Sequence, residues 1–196
     1  MTNQENDTTA KDLAAVLQQL AAVLDALPAE QEHAPTPCIE HDVSGLRSHV
    51  LGWLTAFTDG FADPGGRCSD PEQVTVKGTG ADQVRALADR LDSALQGTRP
   101  EQLMIGDSGM PSGMALDMVL WEYQVHGWDL AAATDRPWSP DERGLEASLE
   151  FAPTMLTDDY QGEGKTFGPR VDVPADAPPL DRLLGLSGRD PAWSAG

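Results

Sequence analysis

The chain has 196 residues, which is enough for one domain with a substantial core that needs no disulfide bonds. Its 32 acidic and 13 basic residues give a formal net charge of −19, which argues against nucleic acid and anionic membranes as partners. No apolar stretch approaches the roughly 20 residues of a transmembrane helix, and the N-terminus lacks the pattern of a signal peptide, so we expect a cytoplasmic protein.

Two helices are predicted in the first third of the chain. Apolar residues recur at steps of three and four over residues 11–27, as one face of a helix requires, and a proline follows. We assign residues 1–10 to a flexible N-terminus. After a loop that contains prolines, Asp42 is suited to cap a second helix, whose apolar stripe covers residues 43–57. This second helix carries His49.

The middle of the chain is predicted to contain a long loop and a third helix. Residues 62–80 are rich in Asp, Pro and Gly and indicate a loop, in which only residues 74–76 alternate as a strand would. Residues 82–96 have apolar side chains at helical spacing. Gly97, directly beyond them, suits a left-handed helix stop.

A fourth helix is predicted from near Pro111 to about Thr134. The fixed φ and the missing N–H of proline suit a first helical turn. Apolar residues continue along this segment, which also contains Glu122 and His126. We therefore expect these two residues to lie on one long helix.

The last part of the chain is predicted to hold a fifth helix and a tail. The helix covers residues 139–156, with Ser139 as its cap and Glu142 reaching back to the N–H of the cap. The tail, residues 161–196, is rich in proline and contains a short helix that Gly188 closes. Long helices joined by short loops favour an all-α fold, an antiparallel bundle over residues 11–160 with the tail packed along it.

The two cysteines, Cys38 and Cys68, lie thirty positions apart, with no further thiol near either. They form neither a C-x-x-C motif nor a disulfide framework. We interpret both as ordinary free thiols.

Glu122 and His126 are the strongest candidates for a metal site. Four residues apart on a helix, they lie on the same face about one turn apart. The same spacing also occurs in pairs that only hydrogen-bond each other. His49 is the best candidate for a third ligand, because an unpaired imidazole among apolar neighbours is unfavourable. Two histidines and one carboxylate leave one position open for water or substrate, as in catalytic zinc sites.

Other candidate sites have weaker support. His33 and His41 lie in or beside the proline-rich loop and are interpreted as surface residues, and His41 is about two turns from His49, too far to share an ion. The patterns H-E-x-x-H and G-x-S-x-G do not occur, which argues against peptidases and serine hydrolases. A P-loop and a dinucleotide fingerprint are also missing, which argues against nucleotide cofactors.

Three residues close to the candidate ligands could support such a site. Asp129 follows His126 by three positions on the same helix face, so its carboxylate could accept the spare ring N–H of a ligating histidine. A plain carboxylate on the helix surface is the alternative. Trp53 and Trp128 are close to the ligands in sequence and could line a pocket, although aromatic residues at helical spacing also fill cores.

Three segments carry a resemblance to a known family. They are LRSHVLGW around His49, VLWEYQVHGWDLAAATDRP over residues 119–137, and FGPRVDVPADAPPLDRLLGLSGRDPAW in the tail. In these segments the chain resembles the actinobacterial metal-binding proteins related to the N-terminal domain of mycothiol-dependent maleylpyruvate isomerase, within the DinB-like four-helix superfamily. The resemblance covers residues 11–193, and the E-x-x-x-H-G-W-D element is its most specific part.

The resemblance implies a DinB-like four-helix bundle with a metal site. Carried over by position, the ligands are His49, Glu122 and His126, and the metal is zinc, with nickel or iron as alternatives. It also implies that mycothiol, a low-molecular-weight thiol, binds the metal and reacts with a small electrophilic substrate. The chain lacks the second domain that supplies a catalytic arginine in the isomerase, so maleylpyruvate isomerisation itself is not expected. Arg170 or Arg189 of the tail could supply a positive charge in its place, but we interpret each as a member of a surface ion pair with a nearby acid.

Three functions remain open at this point. The first is a thiol-dependent isomerase or S-transferase with a catalytic zinc ion. The second is a metal-binding module without turnover. The third is a mononuclear iron enzyme, because two histidines and one carboxylate also describe the facial triad of such enzymes. The sequence indicates neither the substrate nor any catalytic residue beyond the ligands, and a homodimer is compatible with it.

Overall fold

Six helices and one β-hairpin form the regular structure of residues 3–165 and 167–195, which are the residues that the computed structural model describes. The main elements are α1 (Asn3–Asp25), α2 (Val43–Ala62), α3 (Ala81–Gln96), β1 (Gln102–Ile105), β2 (Ser108–Pro111), α4 (Ser112–Ala133), α5 (Glu142–Phe151) and α6 (Pro179–Leu186). The protein is mainly helical, and the small sheet corrects the expectation of an all-α chain. None of the described helices is long and apolar enough to cross a membrane.

The start of α2 follows from its capping residue. Oδ1 of Asp42 accepts a hydrogen bond from the backbone N–H of Gly45 at 2.7 Å, one of the N–H groups that a first helical turn leaves unpaired. Asp42 itself has an extended backbone, as an N-cap residue requires. The prediction of Asp42 as the cap of this helix is confirmed.

Two predicted helix ends differ from the structure. The cap of α5 is Asp141, whose side chain accepts a bond from the N–H of Arg143, and not Ser139. The backbone of Ser139 instead exchanges two hydrogen bonds with the side chain of Gln19 in α1, which holds Ser139 outside the helix. α3 does end before Gly97, but Gly97 has an extended backbone (φ −85°, ψ −164°) and not the left-handed one expected.

Two helices differ from their predicted lengths. α1 begins at Asn3, so it includes residues that the sequence analysis assigned to a flexible N-terminus. These first turns contain mainly polar residues, and apolar spacing cannot reveal such turns. α5 ends at Phe151 and not near residue 156, because Pro153 lacks an N–H for the helical hydrogen bonds. A single 3-10 turn, Ala152–Thr154, continues the chain there.

The hairpin lies between α3 and α4. β1 and β2 pair antiparallel, with Gln102 opposite Pro111 and Ile105 opposite Ser108. The two-residue turn starts with Gly106, whose positive φ of 59° is accessible to glycine. Since each strand has only four residues, the alternation of apolar and polar side chains is too short to be recognised in the sequence.

The four long helices form a ring in which each packs on two neighbours, in the order α1, α3, α2, α4. α1 and α3 run antiparallel. The last residue of α1, Asp25, pairs with Arg85 at the start of α3, and Asp7 at the start of α1 pairs with Arg99 just beyond α3 at 3.2 Å.

α2 and α3 run parallel to each other. Gly80 at the start of α3 lies against Leu51 in the first half of α2, and Arg90 farther along α3 pairs with Asp59 near the end of α2 at 2.6 Å. Residues 63–80 must therefore return from the end of α2 to the level of its middle, near Leu51. The prediction of a long loop in this region is confirmed, and its length is explained by this return.

α1 and α4 form a second parallel pair. Thr9, early in α1, bonds to Asp117 in the first half of α4, and Arg136 beyond α4 bonds to the carbonyl of Ala26 beyond α1. The helices therefore run up, down, down and up in chain order. They do not alternate strictly as the sequence analysis expected, because the long segment between α2 and α3 allows a parallel neighbour.

Candidate metal centre

A buried hydrogen bond sets the relative height of α2 and α4 at the candidate site. The hydroxyl of Tyr123 donates to the backbone carbonyl of Val50 at 2.8 Å. Tyr123 is almost completely buried, and burial raises its pKa well above the ordinary value, so the phenol stays protonated and can donate. Glu122 and His49 are the chain neighbours of these two residues, so the bond brings them to the same level of the bundle.

The structure brings the three predicted ligands together. One ligand atom from each of His49, Glu122 and His126 lies within 4.8 Å of the other two. Nε2 of His49 is 3.6 Å from Oε1 of Glu122, and the ring centroids of His49 and His126 are 5.2 Å apart. The side chains of His49, Glu122 and His126 are 29%, 20% and 14% exposed, so solvent or a small molecule can reach them.

The donor set fits a divalent metal ion of the zinc class. Ligand atoms bound at about 2.0–2.2 Å to a tetrahedral ion lie roughly 3.4 Å apart. The 3.6 Å separation between His49 and Glu122 is close to this spacing, and the remaining separations stay within 4.8 Å. Two imidazoles and one carboxylate form one of the ligand sets of catalytic zinc sites, and the exposure leaves room for a fourth ligand.

Asp129 lies behind the candidate ligands in the position expected for an orienting carboxylate. Its Oδ2 is 3.0 Å from Nδ1 of His126, and its side chain is completely buried. Because an ionised carboxylate only accepts hydrogen bonds, the proton of the imidazole belongs on Nδ1. The Nε2 lone pair of His126 is then available for a metal ion.

A second group of potential ligand atoms consists of Cys38, His126 and Asp129. Both oxygens of Asp129 are already within hydrogen-bonding distance of Arg189, and one of them also of His126. Burial raises the pKa of the Cys38 thiol, whereas metal binding requires a thiolate. His49, Glu122 and His126 therefore form the better metal site. Cys38 and Cys68 are both free, as expected.

The remaining histidines differ in their distance from the site. The ring centroid of His41 is only 5.1 Å from that of His49, because residue 41 precedes α2 and helical spacing does not apply to it. Burial and the nearby imidazole of His49 lower the pKa of His41. His33 is exposed and its Nδ1 pairs with Asp42 at 2.9 Å, away from the ligands.

The two tryptophans predicted near the pocket have different surroundings. Trp53 lies edge-on to the ring of His49, with the ring centroids 6.4 Å apart, and stacks on Phe57, with the centroids 5.4 Å apart. Trp53 therefore forms part of the wall beside the candidate ligand His49. Trp128 is partly buried against the core. Among the described aromatic contacts, none joins Trp128 to the candidate ligands.

The two tail arginines are not members of surface ion pairs. Arg170 donates to the side chain of Gln161 at 2.6 Å and to the carbonyl of Leu156 at 3.0 Å, and none of the described ion pairs includes it. Arg189 does pair with an acid, Asp129, at 3.1 Å, but its side chain is only 13% exposed and the carboxylate is buried. The tail thus reaches the residue that contacts His126.

Sequence reasoning considered Arg189 as a source of positive charge but preferred a surface ion pair for it, and it did not connect Cys38 with the site. Arg189 is sixty positions from Asp129, and no periodic pattern connects a residue beyond a short tail helix with one inside α4. A single buried cysteine in a loop likewise gives no signal. Arg189 does lie within the tail segment that carries the family resemblance, but that resemblance assigns no role to it.

The chain is similar to known proteins at the level of a sequence family. The sequence model of the family described as "Mycothiol maleylpyruvate isomerase N-terminal domain" matches residues 13–131, which is more than half of the chain and includes all three candidate ligands. Two uncharacterized proteins of Mycobacterium tuberculosis are similar, MT0763 of strain CDC 1551 and Rv0738 of strain H37Rv. Each is 28% identical over 170 residues, covering 86% of this chain and 91% of the relative. No solved structure matches the chain significantly.

Proposed function

The chain belongs to the family of mycothiol maleylpyruvate isomerase N-terminal domains, and from this membership and the site geometry we propose that it binds one divalent metal ion, zinc in the first place, and uses mycothiol to transform a small electrophile. The reaction class is a thiol-dependent isomerisation or S-transfer. Nickel or iron are the alternative metals. The observation that carries the proposal is the convergence of His49, Glu122 and His126 within 4.8 Å.

In this proposal each residue has a separate task. His49, Glu122 and His126 hold the ion, which supplies Lewis acidity that favours the ionised form of a bound thiol or water. Asp129 keeps the proton of His126 on Nδ1 and so leaves Nε2 free as a donor atom. Trp53 provides an apolar wall beside His49, where part of the substrate or thiol can pack.

We extend the proposal to fold family and location. The ring of four helices with its long return segment supports a DinB-like bundle over residues 11–160, with residues 161–196 as the tail. A thiol-dependent reaction suits the cytoplasm, where low-molecular-weight thiols stay reduced. The partners are then a small substrate and the thiol, and a homodimer is compatible with this scheme.

A cavity elsewhere in the molecule has no part in this proposal. It has a volume of about 760 Å³ and lies between the start of α1 and the end of α3. Charged residues such as Asp7, Lys11 and Arg99 line it, but none of the three candidate ligands does. A thiol bound by the metal would not reach a substrate held there.

Cobalt(II) in place of zinc allows a direct test, because a thiolate bound to cobalt gives an intense charge-transfer band in the near ultraviolet. Titration of the cobalt-loaded protein with mycothiol is expected to produce this band at a ratio of one thiol per metal. Mycothiol with an alkylated sulfur is the matched control and should give no band. The same titration of the His126→Ala variant should also give none.

The outcomes separate the three functions that the sequence left open. A protein that binds cobalt but shows no band with mycothiol would overturn the thiol-dependent reaction and leave a metal-binding module without turnover. A protein that binds no divalent metal would overturn the proposal as a whole. Oxygen consumption by the iron(II)-loaded protein, without a response to mycothiol, would identify a mononuclear iron enzyme instead.

A further inference from the structure

Arg189 contacts the buried carboxylate behind the candidate metal centre through two nitrogen atoms. Its Nη2 donates to Oδ2 of Asp129 at 3.1 Å and its Nε to Oδ1 at 3.4 Å. Nη1 donates to the backbone carbonyl of Ser187 at 2.8 Å, so the direction of the guanidinium is fixed from the tail side. Both oxygens of the carboxylate are therefore oriented by one arginine.

Asp129 depends on this cation. The carboxylate has no exposure to solvent, and a buried charge without a partner is strongly unfavourable. Its other close contact is Nδ1 of His126 at 3.0 Å, made by the same oxygen, Oδ2, that accepts a bond from Arg189. A contact that neutralises and orients Asp129 thereby also affects the orientation of His126.

We propose that Arg189 is a positioning residue of the metal centre, which acts through Asp129 on the ring of His126. The tail segment beyond α6 is then part of the site, although it contains none of the ligands. This inference rests on the proposed function, since it assumes that His126 binds the metal ion.

Simple attachment of the tail does not require this ion pair. The indole N–H of Trp121 already donates to the Ser187 hydroxyl at 2.9 Å, and Arg170 of the tail donates to the carbonyl of Leu156 at 3.0 Å. Buried ion pairs contribute little net stability compared with apolar residues of the same size. A charged residue at position 189 is explained by the carboxylate that it faces.

The test compares zinc affinities, measured by competition with a chelator on the full chain. Arg189→Gln is expected to weaken zinc binding about 10- to 100-fold, the range typical of residues that orient a ligand. Arg182→Gln is the matched control, because it removes another tail arginine, which pairs with Glu146 at 3.2 Å and not with Asp129. Zinc affinity of this control should equal that of the wild type.

A double-mutant comparison protects the test against misfolding of the single variant. Asp129→Asn and the double variant Asp129→Asn/Arg189→Gln leave no buried carboxylate at position 129. Since Arg189 acts through Asp129, the two should bind zinc with equal, weakened affinity. Arg189→Lys, which keeps the charge but loses the two-point geometry, should give an intermediate affinity.

A measurement on the metal-free protein adds a readout that tail attachment alone would not change. Nitrogen NMR of the imidazoles should show His126 protonated on Nδ1 in the wild type and in Arg182→Gln, and a mixture of tautomers in Arg189→Gln. A folded Arg189→Gln variant with wild-type zinc affinity and an unchanged tautomer would overturn the inference. A further loss of affinity in the double variant would also overturn it. Failure of the wild type to bind zinc would instead overturn the proposed function.

Discussion

Gly127, the residue after His126, has a steric role in the structure. A Cβ on Gly127 would lie 2.1 Å from Cη2 of Trp138, whose ring covers this part of α4. The indole N–H of Trp138 donates to the backbone carbonyl of Gln124 at 3.0 Å, which prevents the ring from moving away. Glycine at this position thus lets Trp138 support α4 directly beside a candidate ligand.

We predict that Gly127→Ala destabilises the protein by about 1–3 kcal/mol, because the added methyl group overpacks the contact with Trp138. Helix propensity alone would give a stabilisation of about 1 kcal/mol, so the sign is diagnostic. The measurement is the free energy of unfolding in urea. Gly97→Ala is the control, since its Cβ would meet no atom closer than 3.5 Å and its φ is −85°. Equal stabilities of the two variants would contradict this account.

The candidate ligands show what residue-level reasoning can and cannot find. The pairing of Glu122 with His126 followed from their spacing on one helix, and His49 followed from its apolar neighbours. The position of His41 was misjudged, because helical rise was applied to a residue that lies before the helix. The contact between Arg189 and Asp129 depends on how the tail folds over the bundle, which local sequence patterns do not encode.

At the scale of elements, the start of α2 combines a helix cap with an ion pair. Asp42 caps the helix through the N–H of Gly45 and also pairs with Nδ1 of His33 at 2.9 Å. The hydrogen bond with Asp42 raises the pKa of His33 above its ordinary value of 6.5. The hydrogen bonds from His33 and Gly45 lower the pKa of Asp42 below its ordinary value of 3.8.

The two pKa shifts define a pH window for the contribution of this pair. A histidine whose pKa is raised in the folded state stabilises the fold at pH values below its unfolded pKa. This contribution is lost as the pH rises through the folded pKa. An aspartate whose pKa is lowered in the folded state stabilises the fold at pH values above its unfolded pKa. This contribution is lost as the pH falls through the folded pKa. The pair therefore stabilises the fold at pH values between the ordinary pKa values of Asp42 and His33, and this stabilisation decreases at higher pH.

We predict that Asp42→Ser loses more stability relative to the wild type at about pH 5.5 than at about pH 9. Serine keeps the helix cap but removes the carboxylate that His33 pairs with. The measurement is the unfolding free energy in urea at both pH values. The same comparison in a His33→Gln background serves as control and should show a smaller pH dependence, because His33 no longer titrates beside Asp42 while His41 still does. A stability difference that is equal at both pH values in the original background would refute the prediction.

The helices with a clear apolar stripe were predictable, and the elements without one were not. α2 and α3 have the expected positions because their buried faces repeat at helical spacing. α4 is buried on almost every side, so apolar residues mark it along its length. The hairpin was missed because its strands are short, and the first turns of α1 were missed because they are polar. The cap of α5 was misplaced because Gln19, far away in sequence, binds the backbone of Ser139.

At the scale of the whole molecule, the path of residues 63–80 determines how the helices are arranged. This segment crosses α2 at Gly52, where a Cβ would lie 2.4 Å from the carbonyl oxygen of Pro71. The absence of a side chain at Gly52 lets the segment pass close to the helix. α3 can then begin beside Leu51 near the middle of α2 and run parallel to it. α4 packs on α2 with the candidate ligands Glu122 and His126 close to His49.

The central claim is that His49, Glu122 and His126 bind one metal ion, and its most direct test is the metal content of the purified protein. Elemental analysis should be done on protein prepared without a metal-affinity column, for the wild type, His126→Ala and the control His33→Ala. We predict one divalent ion per chain in the wild type and in His33→Ala, and a loss of the ion in His126→Ala. Retention of the same stoichiometric metal by His126→Ala would contradict the claim.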